Sequence, residues 1–191
     1  LATTQDKENA RLVTARLVRE SKEPAKDLKK YDSVLKEDGK LKAQLILEIY
    51  AKTKDKNLLK MVVSDKALAS TPAGAELLRE SILLDLAPVV NQVAGLSIGT
   101  KTQAEISKGI KTRVSLIEKL EGYGSQALES RDWLAQVVAL SYLEREVSRF
   151  YNELVALPVP AGLSAEEEGQ YLQLLSQQAS PYQLKASDIQ S

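Results

Sequence analysis

The stretch that decides the fold is Ser125–Val155, SQALESRDWLAQVVALSYLEREVSRFYNELV. It contains neither Gly nor Pro, and it holds the only Trp of the chain, Trp133, and the only Phe, Phe150. A single helix of this length would span roughly 45 Å at about 1.5 Å per residue. Its larger apolar residues recur at the three- and four-residue spacing of a buried helical stripe: Leu134, Val137, Val138, Tyr151, Leu154 and Val155. We therefore expect one long central helix. The hypothesis for Trp133 is burial between neighbouring helices, with a position at the rim as the alternative.

The composition of the whole chain favours helices as well. The 191 residues are 43% apolar and 27% charged, which is typical of a globular protein rather than a disordered one. Leu, Ala, Glu, Lys and Gln are plentiful, whereas aromatic residues make up only 5%. Because these abundant residues are strong helix formers, the composition predicts an all-α fold.

Local signals place the helix boundaries. A capping side chain, a Pro at the first helical position or a capping box predicts a helix start at five places: Thr3 or Thr4, Glu23-Pro24, Thr71-Pro72, Thr102 with Glu105, and Ser164 with Glu167. Ser180-Pro181 predicts the start of a last helix, and Pro88 predicts a kink or break. Gly39 and the Gly122–Gly124 segment predict helix ends, and the Pro-rich residues 157–163 predict an extended connector. The first helix is expected to bury Ala10, Val13 and Leu17.

These boundaries give eight helices and a truncated ninth in a single repeat-like domain spanning residues 1–191. Two arrangements fit such a run: antiparallel pairs stacked as an α-solenoid of tetratricopeptide-repeat type, or an irregular helical bundle. Helix starts near residues 40 and 72 are separated by close to one tetratricopeptide period, which is about 34 residues. The starts near residues 102 and 125 depart from that period, so periodicity favours the solenoid without excluding the bundle.

Charge and residue usage exclude several classes of function. The chain has 26 basic and 26 acidic residues, so it lacks the basic excess of a general nucleic-acid or membrane-surface binder. Residues 1–70 nevertheless carry 16 basic and 11 acidic groups, and residues 122–191 carry four and nine. Cys and His are both absent, which removes disulfides, thiolate catalysis and the usual zinc ligands. No apolar run is long enough to span a membrane. We expect no cofactor and no metal.

Enzyme-like motifs are weak. Ser33-x-x-Lys36 matches a motif of penicillin-recognising enzymes but has none of the partner motifs. The Gly95-x-x-x-Gly99-Thr-Lys segment lacks the phosphate-loop spacing and does not follow a strand.

Two charged segments are better explained by helix structure and solvent exposure than by a functional site. Glu166-Glu167-Glu168 is suited to the first turn of a helix, where negative charge complements the helix dipole. A set of lysines is interleaved with acidic residues, which indicates a solvated surface: Lys29, Lys30, Lys36, Lys40 and Lys42 among Asp27, Asp32, Glu37 and Asp38. No catalytic residue is assigned.

One segment carries a family resemblance. The run from Leu157, LPVPAGLSAEEEGQYLQLL, followed by Ser180-Pro181 and Lys185-Ala186, resembles bacterial cell-envelope tetratricopeptide-repeat proteins, strongest over Leu157–Ala186. The resemblance implies a helical, non-enzymatic interaction or assembly scaffold with a protein or peptide partner, in the periplasm; a cytoplasmic location is the alternative. The alternative function is an all-α enzyme domain that uses carboxylates.

The chain is also expected to be a fragment. Tyr182, Ala186 and Ile189 begin an apolar stripe close to the last residue, with no polar helix to cover it. Because a solenoid needs a polar terminal repeat, we expect the natural protein to continue past Ser191. The oligomeric state stays open.

Overall fold

The computed structural model describes residues 3–99 and 102–190, which form ten helices and no strand. The all-α prediction is therefore confirmed. The helices are α1 (Thr4–Glu20), α2 (Pro24–Lys30), α3 (Asp32–Leu35), α4 (Gly39–Thr53), α5 (Lys56–Val63), α6 (Lys66–Ala69), α7 (Pro72–Ala94), α8 (Gln103–Ser130), α9 (Trp133–Val155) and α10 (Ala165–Gln190). The chain divides into two compact units, Leu1–Ile82 and Leu83–Ser191, and α7 contributes residues to both. The single repeat-like domain stays a prediction.

In the first unit, Asp side chains cap the N-termini of three helices, α4, α5 and α6. Asp38, Asp55 and Asp65 each accept a hydrogen bond from a backbone N–H in the first turn of the helix that follows. Thr3 and Asp6 form a reciprocal capping box at the start of α1. The core is aliphatic and comes from every helix of the unit: Ala15, Val18, Leu28, Leu35, Leu45, Ile46, Ile49, Leu58, Val62, Leu68 and Leu77.

The second unit is an antiparallel arrangement of three long helices. Tyr182 on α10 meets Phe150 on α9 edge to face, with ring centroids 4.6 Å apart, and Gln190 donates a hydrogen bond to Glu144 at 2.8 Å. The two helices α9 and α10 are therefore antiparallel. Between α8 and α9, a Cβ placed on Gly124 of α8 would lie 3.4 Å from Leu140, so the missing side chain lets the two helices approach closely.

The expected single helix over Ser125–Val155 is wrong, because the helix breaks at Arg131. Arg131 has a left-handed backbone with φ 57°, and the side chain of Asp132 accepts a hydrogen bond from the N–H of Ala135 at 2.9 Å. This is an N-terminal cap, so α9 begins at Trp133. The signal was present in the sequence as an Asp three residues before Ala135, within a run of helix formers.

Several other helix boundaries differ from the predicted ones. Gly122 and Gly124 lie inside α8, and Ser180-Pro181 lies inside α10, where the predicted new helix does not begin. Gly39 opens α4 rather than ending the helix before it. The sequence predicts either a kink or a break at Pro88. The helix does not break there, because α7 is continuous from Pro72 to Ala94.

Three local predictions are confirmed. Thr71 caps α7 by accepting a hydrogen bond from the N–H of Gly74 at 3.0 Å, and Thr102 caps α8 through the N–H of Glu105. Ser164 and Glu167 form the expected capping box. Residues 157–163 lie between α9 and α10 and are not helical, as expected of a Pro-rich connector.

The buried faces differ from those predicted. On α9 the buried stripe is Ala135, Ala139, Leu143, Val147, Phe150 and Leu154, whereas Val137 and Val155 are exposed. Trp133 is 72% exposed, so its predicted burial is wrong. On α1, Val13 and Leu17 are exposed, and Thr14, Ala15 and Val18 are buried instead. Small residues let helices approach closely, and the buried stripe of α9 begins with two alanines, Ala135 and Ala139, while Trp133 and Val137 of the same turns lie outside it.

Candidate functional site

The most unusual feature of the second unit is a cluster of buried charges centred on Arg113. The Arg113 side chain on α8 is completely buried. Its Nη1 donates a hydrogen bond to Oε2 of Glu146 at 3.1 Å, and its Nη2 donates to the two carboxylate oxygens of Glu153 at 3.0 and 2.9 Å. Both glutamates lie on α9, seven residues apart and therefore on one face of the helix. The contacts connect α8 to α9.

Two further arginines complete the cluster. Arg149 donates from Nε to Glu153 at 2.8 Å, and Arg145 donates from Nε to Glu146 at 3.2 Å. Glu146 is only 2% exposed at its side chain, so its charge is balanced almost entirely by these guanidinium groups. We call Arg113, Arg145, Glu146, Arg149 and Glu153 the arginine cluster.

The arginine cluster also holds the end of α7. Nη2 of Arg113 and Nη2 of Arg149 both donate to the backbone carbonyl of Leu96, at 2.7 and 2.8 Å. Arg149 Nη1 lies 3.4 Å from the carbonyl oxygen of Val93, within the last turn of α7. The last carbonyls of a helix have no partner within the helix and carry partial negative charge. Arg149 supplies a donor and the opposite charge to these carbonyls, and together with Arg113 it holds the backbone at Leu96, just after the helix.

The chemistry open to this cluster is limited. Each carboxylate accepts hydrogen bonds from guanidinium groups, and Arg is protonated at any ordinary pH, so neither glutamate is poised to take a proton from a substrate. Nε of Arg113 is the one buried atom of these side chains without a hydrogen-bond partner in the described residues. The arrangement is suited to fixing three helices in place.

The second feature is an exposed apolar surface at the start of α9. Trp133 is 72% exposed, and Val137, one helical turn later, is 54% exposed. Residues four apart on a helix lie side by side, so the two side chains form one continuous apolar surface. We call Trp133 and Val137 the Trp133 surface. Asp132 caps the helix directly before it, which fixes the backbone from which the indole projects.

The motifs singled out in the sequence are scattered. Ser33 lies on α3 and Lys36 follows that helix, and no hydrogen bond joins them in the described residues. Glu167 forms the capping box, and the backbone N–H of Ser164 lowers the pKa of its carboxyl group. Gly95 and Gly99 belong to the loop after α7, while Thr100 and Lys101 lie outside the described residues.

The interleaved lysines do not act as one group. Lys29 and Lys42 line a cleft of the first unit together with Asp32. Lys42 is buried and pairs with Asp32 at 2.6 Å, whereas Lys30 lies over the ring of Tyr31, 4.9 Å from its centroid. The sequence had indicated a solvated surface, which describes Lys30 but not Lys42.

Sequence reasoning missed the arginine cluster. Arg113 lies between Ile110 and Ile117 at the three- and four-residue spacing of the apolar face of α8. A charged residue in that position is a signal of a buried ion pair, since an unpaired charge is costly to bury. The second half of the signal is the seven-residue spacing of Glu146 and Glu153.

No His, Cys, Asp and Glu side chains come together in a group that could hold a metal within residues 3–99 and 102–190. In the same residues, no helix combines the length and apolar character that crossing a bilayer requires. Comparison with known proteins finds no matching family model, no matching curated protein and no matching solved structure. The resemblance of Leu157–Ala186 to cell-envelope tetratricopeptide-repeat proteins therefore stays a prediction.

Proposed function

We propose that this chain is a non-enzymatic protein-binding module that docks an apolar patch of a partner protein on the Trp133 surface. The observation that carries the proposal is the 72% exposure of the only Trp in the chain. Trp is, with Tyr and Arg, enriched among the side chains that dominate binding energy at protein interfaces. Its large rigid ring buries much area at little cost in side-chain entropy.

The position of the indole supports this role. Trp133 is the first residue of α9, directly after the Asp132 cap, and α9 packs along both α8 and α10. The backbone that carries the ring is therefore held by a rigid framework, so a partner need not order it on binding. Val137 extends the apolar area by one turn.

The alternative, an all-α enzyme that uses carboxylates, has less support. The carboxylates that converge in the second unit are Glu146 and Glu153, and both are occupied by arginines. An acid or base needs a proton that it can exchange with a substrate, and a carboxylate saturated by guanidinium groups is poorly suited to that.

The finer architecture and the location belong to the same proposal. We place the chain among tetratricopeptide-like α-solenoids of the bacterial cell envelope, with a periplasmic location. The antiparallel packing of α9 against α8 and α10 is compatible with stacked helix pairs, and it is equally compatible with an irregular bundle.

Site-specific photo-crosslinking tests the docking surface. A photoreactive amino acid replaces Val137, the cross-linked protein is identified and purified, and its binding to the unlabelled chain is measured by fluorescence. Because Trp133 is the only Trp, its emission should shift to shorter wavelength when the partner covers it. Titration calorimetry measures the affinity of Trp133→Ser, which lacks the fluorophore. This substitution should weaken binding by roughly 2 kcal/mol or more, which corresponds to at least about 30-fold in Kd.

Leu184→Ser is the matched control. Leu184 is 63% exposed on α10, so this variant also removes an exposed apolar side chain from the second unit. It should leave the affinity unchanged. Equal weakening by both variants, or a purified partner that leaves the Trp133 emission unaltered, would contradict the proposed surface. Self-association abolished by Trp133→Ser would assign the surface to a second copy of the chain instead.

A further inference from the structure

The first unit contains an open cleft, formed at α2, α3, α4, α5 and α6, that the proposed docking surface does not involve. Its volume is about 690 Å³, within the range of about 300–1,000 Å³ typical of ligand sites. The lining combines cationic, anionic and apolar side chains: Lys29, Asp32, Lys42, Met61, Ser64, Asp65, Lys66 and Ala67. We call it the lysine cleft.

The wall of the lysine cleft holds a buried ion pair. The Lys42 side chain is 7% exposed, and its Nζ lies 2.6 Å from Oδ1 of Asp32. The two groups form an ion pair, but the angles at the contact are outside the range of a hydrogen bond. Oδ1 of Asp32 is buried and has no hydrogen-bond donor in the described residues. Lys42 and Asp32 therefore neutralise each other and leave no net charge.

The second carboxylate of the cleft is also engaged. Oδ1 of Asp65 accepts hydrogen bonds from the backbone N–H groups of Ala67 and Leu68, at 3.0 and 3.2 Å, as the cap of α6. Lys29 and Lys66 are exposed, and neither forms an ion pair in the described residues. Lys29 and Lys66 therefore line this cleft without a charged partner in the described residues.

We propose that the lysine cleft binds an acidic segment of a peptide, with a carboxylate held between Lys29 and Lys66. Met61 and Ala67 line the same cleft and offer apolar contact to the methylene groups of a Glu side chain. Residues 1–70 carry 16 basic and 11 acidic groups, so the surroundings attract an acidic chain as well.

The ligand is a carboxylate rather than a phosphate because of the two aspartates. Lys29, Lys42 and Lys66 carry three positive charges against two negative charges on Asp32 and Asp65, so the lining has a net charge of +1 and a phosphate dianion would leave one negative charge unbalanced. A singly charged carboxylate balances one ammonium without that penalty. This second site goes beyond the proposed function of the Trp133 surface and does not depend on it.

The test is a binding titration of the full chain with a fluorescein-labelled hexaglutamate peptide at low salt, followed by anisotropy. The wild type should bind it, and hexaglutamine of the same length should not bind. Lys29→Gln combined with Lys66→Gln should weaken binding about tenfold or more, because each lysine contributes a charge-assisted hydrogen bond.

Lys7→Gln combined with Lys52→Gln is the control. Both lysines are exposed in the same unit and lie outside the cleft, so the net charge changes equally. This variant should keep the wild-type affinity. Free acetate, which is a singly charged carboxylate, should displace the peptide more effectively than inorganic phosphate. Equal loss in both double variants would overturn the proposal in favour of diffuse charge attraction. Absence of hexaglutamate binding, or stronger displacement by phosphate, would also overturn it.

Discussion

Arg113 and Glu146 lie 33 residues apart in the sequence, and Nη1 of Arg113 donates a hydrogen bond to Oε2 of Glu146 at 3.1 Å. Neither side chain is more than 2% exposed. A charge in such a place is tolerated only with a partner, since moving an isolated ion out of water costs many kcal/mol. This pair therefore requires that the face of α8 that carries Arg113 meets the face of α9 that carries Glu146.

Removing Arg113 should strongly destabilise the second unit. Arg113→Met leaves the buried Glu146 without its closest guanidinium, and the expected loss in the free energy of unfolding is about 3–5 kcal/mol. Urea denaturation followed by circular dichroism measures the loss. Arg16→Met is the control, because Arg16 pairs with Glu20 on the surface at 77% exposure and such pairs contribute about 1 kcal/mol or less. Equal stability of Arg113→Met and wild type would show that the buried pair is dispensable.

Two glycine substitutions should change stability in opposite directions. Gly122 lies inside α8 with no atom within 4 Å of an added Cβ, so Gly122→Ala should stabilise the protein by about 0.5–1 kcal/mol. At Gly74 an added Cβ would lie 1.8 Å from the carbonyl oxygen of Leu68, and Gly74→Ala should cost about 1–3 kcal/mol. Thermal and urea unfolding of both variants provide the measurement. Destabilisation by Gly122→Ala would indicate that α8 ends at Gly122, as the sequence suggested.

Trp133 should behave as an exposed side chain in the absence of a partner. Its emission maximum should be that of an indole in water, and Trp133→Ala should change the free energy of unfolding by no more than about 0.5 kcal/mol. A core Trp would instead cost about 3–5 kcal/mol on truncation. Fluorescence and urea denaturation of the isolated chain distinguish the two. A blue-shifted maximum together with a large loss of stability would place the indole in a core.

Stability should fall at alkaline pH partly because of Tyr182. Burial raises the pKa of the Tyr182 hydroxyl above its usual 10.0; nearby Lys185 lowers the pKa, and Glu121 and Glu118 raise it further. The unfolded chain therefore loses this proton at a lower pH than the folded one. The contribution of the neutral hydroxyl is fully present below the unfolded pKa and is lost as pH rises through the folded pKa.

Tyr182→Phe tests this directly, because it keeps the ring that packs against Phe150 and removes the ionisable group. The variant should lose less stability than wild type between about pH 8 and about pH 11. Urea denaturation across this range gives the difference. Parallel pH curves for the two proteins would mean that the hydroxyl has the same pKa in the folded and unfolded chains.

The sequence alone determined that the protein is helical and where several helices begin. Thr71, Thr102 and Ser164 cap helices through hydrogen bonds to residues three positions ahead. Such contacts involve neighbours in the chain, so the order of residues is enough to reveal them. The cap at Asp132 is of the same local kind and could have been found.

Only the tertiary structure decided which faces are buried and which charges are paired. Arg113 meets Glu153 across 40 residues of sequence, and Trp133 points away from the interface that Ala135 and Ala139 occupy. The three- and four-residue spacing of apolar residues on α9 is compatible with more than one buried stripe. The choice depends on how closely α8 can approach, which Gly124 and the alanines allow, and on where a buried arginine finds its carboxylates.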